Sequence, residues 1–548
     1  MTESFTNKRK KVTVRTGRRL QAKNVKDNYD VIVIGSGIGG LVNAALLAKL
    51  GKKVCVLEQH YTAGGFTHAY QRKGYEWDVG VHYIGEVHRA KSPLRKVFDL
   101  VSEKRLKWQA MDPVYDQIII GDESFDFIAG TDNFINSLST QFPDDKEAIV
   151  KYVELVRDIS YHSSKFFAGQ ALPIWMAKIF HWLRPKLIRP EYFQTTRHVL
   201  ESLTSNQKLI SVLTGQWGDY GLAPNKASFL MHALLVKHYL NGGAYPVGGA
   251  SAIAREIIPT ILAAGGDVFT DAKAEQIIIK NNKATGVQLS NGLVINAKKI
   301  VSNIGYINTV TKLLPESIQQ QYNLSKQAQK IKRSGASLCL YCGFNGTSET
   351  LNLNTTNLWI YATPNHELNV ANYEKAKGEN EEFPVVYISF PSSKDPEWSE
   401  RFPNKSTVEI VTLANMDWFK KWIGTDWNKR GEDYEAVKEK LSQKLLAKLF
   451  EHRPQLKNAL DYYELSTPLS TENYQLNDEG EIYGLEHTVE RFKQAHLHSE
   501  TKVKNLYLTG ADVMTAGIGG AAMSGVITTM RMQGLMKMRE IKALLASA

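Results

Sequence analysis

An α/β fold with a parallel sheet is predicted by three stretches of this 548-residue sequence. Residues 30–58 contain an apolar run, a glycine-rich turn, a helix rich in Ala and Leu, and a second apolar run. Residues 267–303 contain several strand-like runs, and residues 505–538 lead from an apolar run into a glycine-started helix. A strand–helix–strand unit places its strands parallel. We therefore expect one sheet assembled from three separated stretches, with a second domain inserted between them.

The first stretch has the pattern of a dinucleotide-binding unit. Residues 31–34 predict a strand buried on both faces, and the glycines that follow fit G-x-G-x-x-G ahead of a helix over 41–50. Gly35 would make the tight turn, Gly37 would let the backbone approach a pyrophosphate, and Gly40 would let the helix pack on the strand. The helix N-terminus would offer unpaired N–H groups to that anion.

An acidic residue completes this unit. Residues 54–57 predict the second strand, and Glu58 stands at its end, where a carboxylate can accept hydrogen bonds from ribose hydroxyls. Gly51 ends the helix at a position that favours a left-handed residue. The alternative reading is a glycine-rich packing turn. The strand, helix, second strand and acid together favour dinucleotide binding.

Composition and charge limit the class of protein. The chain is 43% hydrophobic and 22% charged, and its three cysteines, Cys55, Cys339 and Cys342, exclude a disulfide scaffold. Residues 1–27 hold nine basic and two acidic residues, a net charge of +7 within a total of +11. We expect a flexible basic arm attracted to anionic lipid, with neither a secretory signal nor a nucleic-acid partner. No run of 18 uncharged apolar residues predicts a spanning helix.

The remaining chain divides by its periodicity. Strands are predicted near 75–83, 104–126 (two), 267–270, 274–280, 284–289, 293–295, 300–303, 337–343, 385–390, 407–414 and 505–508. Residues 133–241 are largely helical, and further helices are predicted over 251–264, 433–450 and 521–538. The predicted boundaries are 1–27 for the arm, 28–103, 245–311 and 502–548 for the dinucleotide domain, and 104–244 and 312–501 for an α+β substrate domain.

Several longer motifs carry a family resemblance. The arrangement of the three stretches resembles the flavin-binding amine oxidase and phytoene desaturase group. Within that group, WDVGVHYIG, SFLMHALLVKHYLNGGAYPVGG, FPSSKDPEWSERFPNKST and KRGEDYEAVK resemble the retinol saturase family. The likeness runs over about residues 30–540. The chain departs from animal members at Phe66-Thr67, where they carry a cysteine pair, at Val247, where they carry Arg, and in TAGIGGAAMSG.

The resemblance implies FAD as the cofactor and a Rossmann-like FAD-binding domain. It implies that Gly510 and Asp512 touch the ribityl chain and pyrophosphate, that Gly519 and Gly520 lie beneath the flavin ring, and that the backbone of Ala274 meets the adenine. The full predicted set of cofactor residues is Gly35, Gly37, Ile38, Gly39, Gly40, Glu58, Gln59, Gly64, Gly65, Phe66, Ala274, Gly510, Asp512, Gly517, Gly519 and Gly520.

The resemblance also implies a reaction on a conjugated isoprenoid. Flavin N5 would give a hydride to one carbon of a double bond, and a protein acid or water would give a proton to its neighbour. The candidate acids are His82, Tyr83, Glu86, Tyr220 and His232. Saturation is favoured over desaturation and cis-trans isomerisation. No second G-x-G-x-x-G unit is visible, so NAD(P)H would be a transient reductant, or another protein would donate the electrons.

Other functions are weighed against this one. Cys339-x-x-Cys342 would suit a disulfide-reducing flavoenzyme, but SLCLYCGF predicts a strand in which residues three apart point to opposite faces. His82 with His88, and His232 with His238, lack a third ligand, so no metal is expected. An amine oxidase is the main enzyme alternative. A non-catalytic flavin or lipid carrier is the alternative from another class.

One segment predicts contact with a membrane surface. Residues 171–190 combine the apolar side chains Ile174, Trp175, Ile179, Phe180, Trp182 and Leu183 with the bases Lys178, Arg184, Lys186 and Arg189. Such a helix can lie in the interface and meet lipid headgroups. We expect peripheral attachment on the cytoplasmic side, with substrate drawn from the bilayer. The alternative is an ordinary helix covering the core.

Overall fold

The computed structural model describes residues 14–376, 382–534 and 537–548. Its strands, in chain order, are β1 (Arg18–Arg19), β2 (Tyr29–Ile34), β3 (Val54–Leu57), β4 (Ala69–Arg72), β5 (Tyr75–Asp78), β6 (Ile84–Gly85), β7 (Trp108–Ala110), β8 (Val114–Ile120), β9 (Glu123–Ile128), β10 (Gly243–Pro246), β11 (Asp267–Thr270), β12 (Ala274–Lys280), β13 (Lys283–Leu289), β14 (Val294–Ser302), β15 (Ala336–Asn345), β16 (Asn357–Tyr361), β17 (Val386–Ser389), β18 (Lys405–Ala414), β19 (Leu460–Ser466) and β20 (Leu506–Leu508).

The helices separate and cover these strands. They are α1 (Ile38–Lys49), α2 (Pro93–Ser102), α3 (Thr131–Gln141), α4 (Lys146–Phe167), α5 (Ile174–Leu187), α6 (Thr196–Glu201), α7 (Gln207–Leu213), α8 (Phe229–Tyr239), α9 (Ala252–Ala263), α10 (Tyr306–Asn308), α11 (Glu316–Tyr322), α12 (Leu324–Ala328), α13 (His366–Lys375), α14 (Pro391–Lys394), α15 (Trp398–Arg401), α16 (Glu432–His452), α17 (Pro468–Gln475), α18 (Val489–Phe492), α19 (Gly517–Gln533) and α20 (Met538–Ser547). Short 3-10 or π turns connect several of them.

An eight-stranded sheet joins the three predicted stretches. Its order is β1-β11-β3-β2-β14-β13-β12, with β20 pairing on β14. The pairs from β1 to β14, and the pair of β14 with β20, are parallel, whereas β12, β13 and β14 are antiparallel. Helix α1 packs against α9 and α19 on this sheet. The predicted α/β fold with a Rossmann-like domain is confirmed.

Two boundaries in this domain differ from the prediction. β14 is one continuous strand where two short strands were expected. Its first part pairs with β13 and its last residues, Ala297–Ser302, pair with β2, so Lys298 and Lys299 lie within a strand that changes partners. The last long helix ends at Gln533 instead of continuing to 538, because Gly534 follows with φ +81°.

A seven-stranded sheet forms the second domain, with the order β19-β15-β18-β17-β16-β8-β9. β16 is parallel to β8 and the other pairs are antiparallel. Strands β16 and β19 were not predicted. Cys339 packs with Tyr341 and Trp77, whereas Cys342 packs in the core on the opposite face of β15. The predicted strand with its cysteines on opposite faces is therefore confirmed.

The described part of the basic arm is ordered. β1 pairs with β11 at the edge of the sheet, Arg18 forms an ion pair with Asp267, and the backbone N–H of Thr16 donates to Thr62. The prediction of a flexible arm is therefore wrong for residues 14–27, while residues 1–13 lie outside the described residues. Apart from β1, the strands of the two large sheets fall within the predicted domain segments.

Candidate functional site

A large cavity lies at the carboxyl ends of four parallel strands. The residues that directly follow β2, β3, β14 and β20 all line it, and these are Gly35, Glu58, Asn303 and Thr509. Ligands of open α/β sheets bind at this edge. The cavity volume is ≈1830 Å³, whereas pockets for one small ligand are typically about 300–1,000 Å³. The cavity therefore has room for a dinucleotide together with a second, long ligand.

Glycines leave the backbone bare on one wall of this cavity. A Cβ on Gly37 would lie 2.8 Å from Nδ2 of Asn303, and a Cβ on Gly65 would lie 2.9 Å from Cα of Gly37. Gly37 caps α1 without any side-chain hydrogen bond, so the first N–H groups of the helix are left for a ligand. This end of α1 fits a pyrophosphate.

Gly39 and Gly40 have packing roles. A Cβ on Gly40 would lie 2.4 Å from the carbonyl oxygen of Gly35, and Gly40 is absent from the cavity wall. A Cβ on Gly39 would lie 2.9 Å from both the carbonyl oxygen of Ala521 and Cα of Gly510. These two glycines let α1 approach its own strand and α19.

Glu58 holds the glycine-rich turn in place. Its Oε2 accepts hydrogen bonds from the backbone N–H (2.9 Å) and the hydroxyl (2.6 Å) of Ser36, and its Oε1 accepts one from the N–H of His60 (2.9 Å). A carboxylate has about four lone-pair directions. Glu58 also lines the cavity, so one direction remains for a ligand hydroxyl.

A second helix also begins at the cavity. α19 starts at Gly517 after Ala516, which supplies no side-chain cap, and both residues line the cavity. Asp512 accepts backbone hydrogen bonds from Tyr306 (2.7 Å) and Leu485 (3.1 Å), which ties three segments of the wall together. Two uncapped helix N-termini, those of α1 and α19, therefore face one cavity.

The predicted cofactor residues converge on this wall. All except Gly40 line the cavity, namely Gly35, Gly37, Ile38, Gly39, Glu58, Gln59, Gly64, Gly65, Phe66, Ala274, Gly510, Asp512, Gly517, Gly519 and Gly520. Sequence reasoning missed Asn303, which lies beside Gly37, Gly39 and Gly510. Its position directly after a predicted buried strand could have identified it as a residue at the ligand-binding edge of the sheet.

The second part of the cavity is mostly apolar. Met231, Leu234 and Leu235 of α8 line it, together with Ile527 of α19 and Phe167 of α4. Cys339 and Val411 contribute from the seven-stranded sheet. A wall of this kind suits a long hydrocarbon chain.

His82, Tyr83 and Glu86 line this cavity as predicted candidates. Nδ1 of His82 lies 2.8 Å from Oε2 of Glu409, and burial lowers the pKa of His82 to about 3. Burial acts to raise the pKa of Glu86, but the ammonium of Lys237, 3.0 Å away, holds it below its ordinary value. Glu86 is thus an anion at neutral pH, which does not fit the predicted role of an acid.

Tyr220 and His232 do not line the cavity. Both are fully buried, with the hydroxyl of Tyr220 3.3 Å from Nδ1 of His232 and the hydroxyl of Tyr152 2.8 Å from its Nε2. Their polar atoms are used inside the helical core. Neither residue is therefore placed to give a proton directly to a ligand in the cavity.

Buried charged groups lie behind the cavity wall and were not predicted. Glu409 and Lys394 are both fully buried, and Asp116 accepts a hydrogen bond from the hydroxyl of Tyr83 (2.8 Å). Asp219, which lines the cavity, lies 3.4 Å from the same hydroxyl. Glu409 could have been noticed in the sequence, because an acidic residue is unusual within a run predicted to be a buried strand, here STVEIV at residues 406–411.

Comparison with known proteins identifies related folds and sequences. Residues 33–101 match a family described as an NAD(P)-binding Rossmann-like domain. An oxidoreductase from Methanosarcina mazei (17% identity, TM-score 0.60) covers 90% of this chain and 98% of its own. A putrescine oxidase (14% identity, TM-score 0.58) covers 95% of this chain and 99% of its own. These two structures share the fold.

Relatives of known sequence cover almost the whole chain. The all-trans-retinol 13,14-reductase of Danio rerio is 35% identical over 524 residues, which is 92% of this chain and 86% of the relative. A protein named inactive all-trans-retinol 13,14-reductase, also from Danio rerio, is 33% identical over 93% and 86% of the two chains. Prolycopene isomerase 1 of an Oncidium hybrid is 25% identical over 92% and 84%. The chain belongs to the all-trans-retinol 13,14-reductase family of oxidoreductases.

Proposed function

We propose that this protein binds FAD and saturates one carbon–carbon double bond of a conjugated isoprenoid, such as a retinoid or a carotenoid. The observation that carries the proposal is the single large cavity, in which two uncapped helix N-termini face one part and an apolar wall forms the other. The relatives named as retinol reductases support reduction as the direction of the reaction.

The residues of the first part fit an FAD molecule. The bare backbone at Gly37 and Gly65 would hold the pyrophosphate, Glu58 would hold a ribose hydroxyl, and Ala274 would meet the adenine. The N-terminus of α19 would stabilise negative charge on the flavin ring. When bound, the reduced flavin supplies a hydride. The protein's own residues orient the polyene, exclude water and supply the proton.

The reductant is part of the same proposal. NAD(P)H would visit the flavin transiently, or an electron-donor protein would reduce it. Anaerobic mixing with NADH and, separately, with NADPH tests this step, because bleaching of the flavin absorbance within the turnover time would assign the role to the nicotinamide. Absence of bleaching with both nucleotides would favour an electron-donor protein.

We expect reduced holoenzyme to add two mass units to a polyene substrate. Retinol, carotene and phytoene are incubated separately with dithionite-reduced protein and analysed by mass spectrometry. A gain of two mass units is the expected result, and the oxidised holoenzyme is the control that should give none. A loss of two mass units would indicate desaturation, and an unchanged mass with altered retention would indicate isomerisation. No change with any polyene, together with unchanged flavin absorbance, would indicate a carrier and contradict the proposal.

We further propose that the protein attaches peripherally to a membrane through α5. Of ten large exposed hydrophobic residues in the described chain, five lie in one stretch, namely Tyr161, Trp175, Ile179, Trp182 and Leu187. Lys178 and Lys186 are exposed on the same helix. Tyr161, Ala168 and Leu172, which immediately precede α5 or lie on α4, line the cavity. The exposed apolar face is therefore close to a cavity wall, where a polyene with little solubility in water would enter.

Two details of that helix differ from the prediction. Arg184 is buried, lies over the ring of Phe166 at 4.0 Å and donates to the carbonyl of Phe492, so it is not available to headgroups. Phe180 is half-buried and packs near Gly169. The membrane-facing residues are thus Trp175, Ile179 and Trp182. No helix in the described ranges combines the length and apolar character needed to cross a bilayer.

The variant Trp175→Asp, Ile179→Asp, Trp182→Asp should fail to float with anionic vesicles that carry the wild type. Burial of three large apolar side chains is lost, at about 1.5–3 kcal/mol for each when fully buried. Lys178 and Lys186 contribute on the order of 1 kcal/mol each near an anionic surface, so binding should weaken with salt. The matched control, Leu368→Asp with Ile423→Asp, changes exposed apolar residues elsewhere and should float. Equal flotation of the triple variant and wild type would contradict the proposal.

A further inference from the structure

A cluster of six carboxyl groups lies near His82, five of them behind the cavity wall and one, Asp219, on the wall itself. Its members are Glu76, Asp78, Asp116, Asp219, Asp395 and Glu409, and all but the half-buried Asp219 are fully buried. Two buried cations contact this carboxyl cluster. Arg401 donates to Glu76 and Asp395, and Lys394 lies among the others. Six acids against two cations cannot all be charged in a buried site, so several of them hold protons.

Glu409 connects the carboxyl cluster to the cavity. Its Oε1 accepts the backbone N–H of Asp78 (2.7 Å), and its Oε2 lies 2.8 Å from Nδ1 of His82. His82 lines the cavity and keeps 17% of its side chain exposed, whereas Glu409 keeps none. The imidazole is therefore the only part of this pair that reaches the cavity, and its Nε2 is the ring nitrogen not used by Glu409.

The protonation states suit a transfer from Glu409 through His82. Burial raises the pKa of Glu409 to about 8, so the carboxyl group is neutral at pH 7. Burial and the neighbouring Lys394 lower the pKa of His82 to about 3, so the ring is neutral as well. A neutral carboxylic acid thus faces a neutral imidazole, and its hydroxyl can donate to Nδ1 while Nε2 carries the other proton.

We propose that Glu409 and His82 form a proton relay that protonates the polyene during saturation. This inference rests on the proposed function. A reduced flavin, when bound, would supply a hydride with its two electrons to one carbon of the double bond. The neighbouring carbon gains the Nε2 proton of His82, while Nδ1 takes the proton of Glu409. The alkene is thereby reduced by the two electrons of the hydride, His82 ends in its other neutral tautomer, and Glu409 ends as a carboxylate. His82 is the donor, and Glu409 acts through it.

The surroundings of Glu409 determine its titration. Burial raises the pKa of Glu409 and outweighs the backbone N–H of Asp78 and the charge of Lys394, which both lower it. Burial lowers the pKa of Lys394 to about 7. Burial and Glu409 raise the pKa of the Asp78 carboxyl well above its ordinary value. The remaining titratable groups that face Glu409 are weak acids whose pKa values burial raises further, namely Tyr70, Tyr245, Tyr341, Cys339 and Cys342. They stay neutral over the working range. Lys394 and Glu409 both titrate between pH about 7 and 8, and only the Glu409 contribution is removed by Glu409→Gln.

The test replaces Glu409 by Gln in the holoenzyme. Glu409→Gln keeps the size and the hydrogen bond to His82 but has no proton to transfer, so turnover should fall about 10²–10⁴-fold. The wild-type rate should decrease above pH about 8 as Glu409 ionises, and the residual activity of Glu409→Gln should not show this alkaline decrease. Glu409→Asp should restore part of the rate and also the alkaline decrease. Glu464→Gln, on strand β19 of the same sheet, is the control and should match the wild type.

An infrared readout separates this inference from the proposed function. The wild-type holoenzyme at pH 7 should show protonated-carboxyl absorption that shifts in D₂O, with one component that decreases above pH about 8. Glu409→Gln should lack that component and keep the absorption of the other buried acids. If no polyene is reduced by wild type, the proposed function fails, while the band still decides whether Glu409 stores a proton. A full rate with an unchanged pH profile in Glu409→Gln would overturn the relay. Loss of turnover in Asp219→Asn, with full turnover in Glu409→Gln, would also overturn it and would assign the proton to the Tyr83 hydroxyl, which lies 3.4 Å from Asp219.

Discussion

Gly37→Val is expected to give a folded protein without flavin, whereas Gly40→Val is expected to give little folded protein at all. A Cβ at position 37 meets only the end of the Asn303 side chain, at 2.8 Å, and that side chain can move. The added methyl groups would then fill the space left for the pyrophosphate. A Cβ at position 40 meets the backbone oxygen of Gly35 at 2.4 Å, so α1 must separate from its strand, at a cost on the order of 3 kcal/mol or more.

Absorbance and thermal unfolding distinguish the two results. Purified Gly37→Val should lack the flavin bands and retain a cooperative unfolding transition and the wild-type circular dichroism. The control is Gly335→Val, because Gly335 is exposed and the nearest atom to an added Cβ is 3.8 Å away. It should bind flavin normally. Wild-type flavin content in Gly37→Val would exclude this turn as the pyrophosphate site.

The sequence predicted the first domain well because its signals are local. The strand at 54–57 and the strands at 267–270 and 274–280 agree with the structure to the residue. Each is a short apolar or alternating run bounded by glycine or polar residues. None of them exchanges one neighbouring strand for another along its length. The prediction split β14 into two strands. Its two halves pair with different strands, and the local sequence pattern does not reveal this change of partner.

The site was predicted in part, and the missing part has a physical reason. The glycines and Glu58 could be predicted because they belong to one short strand–turn–helix–strand unit with a known residue spacing. Glu409 and Lys394 lie in the second domain, more than 300 residues from His82, and contact it only after the two sheets pack. Tyr220 and His232 were named from the family resemblance, which does not tell whether a side chain borders the cavity or the helical core. Long-range packing determines both outcomes.

Arg401→Met is expected to destabilise the protein by about 3–5 kcal/mol, because it leaves two buried carboxylates without their cation. The guanidinium donates to Oε1 of Glu76 (2.8 Å) and to Asp395, and all three side chains are at least 92% buried. Asp395 in turn accepts the N–H of Gly248 (3.0 Å). Arg401 therefore joins β5, the turn after β10 and the second domain at one point.

Urea unfolding measures this loss, seen as a lower midpoint with an unchanged slope. Arg72→Met is the control, because its ion pair with Glu464 is part-exposed and worth at most about 1 kcal/mol. The triple variant Arg401→Met, Glu76→Gln, Asp395→Asn removes the stranded charges and should regain much of the stability lost by the single variant. If the triple variant is no more stable than Arg401→Met, lost packing of the arginine against Trp398 and Phe402 accounts for the loss in the single variant, and the charge argument is wrong.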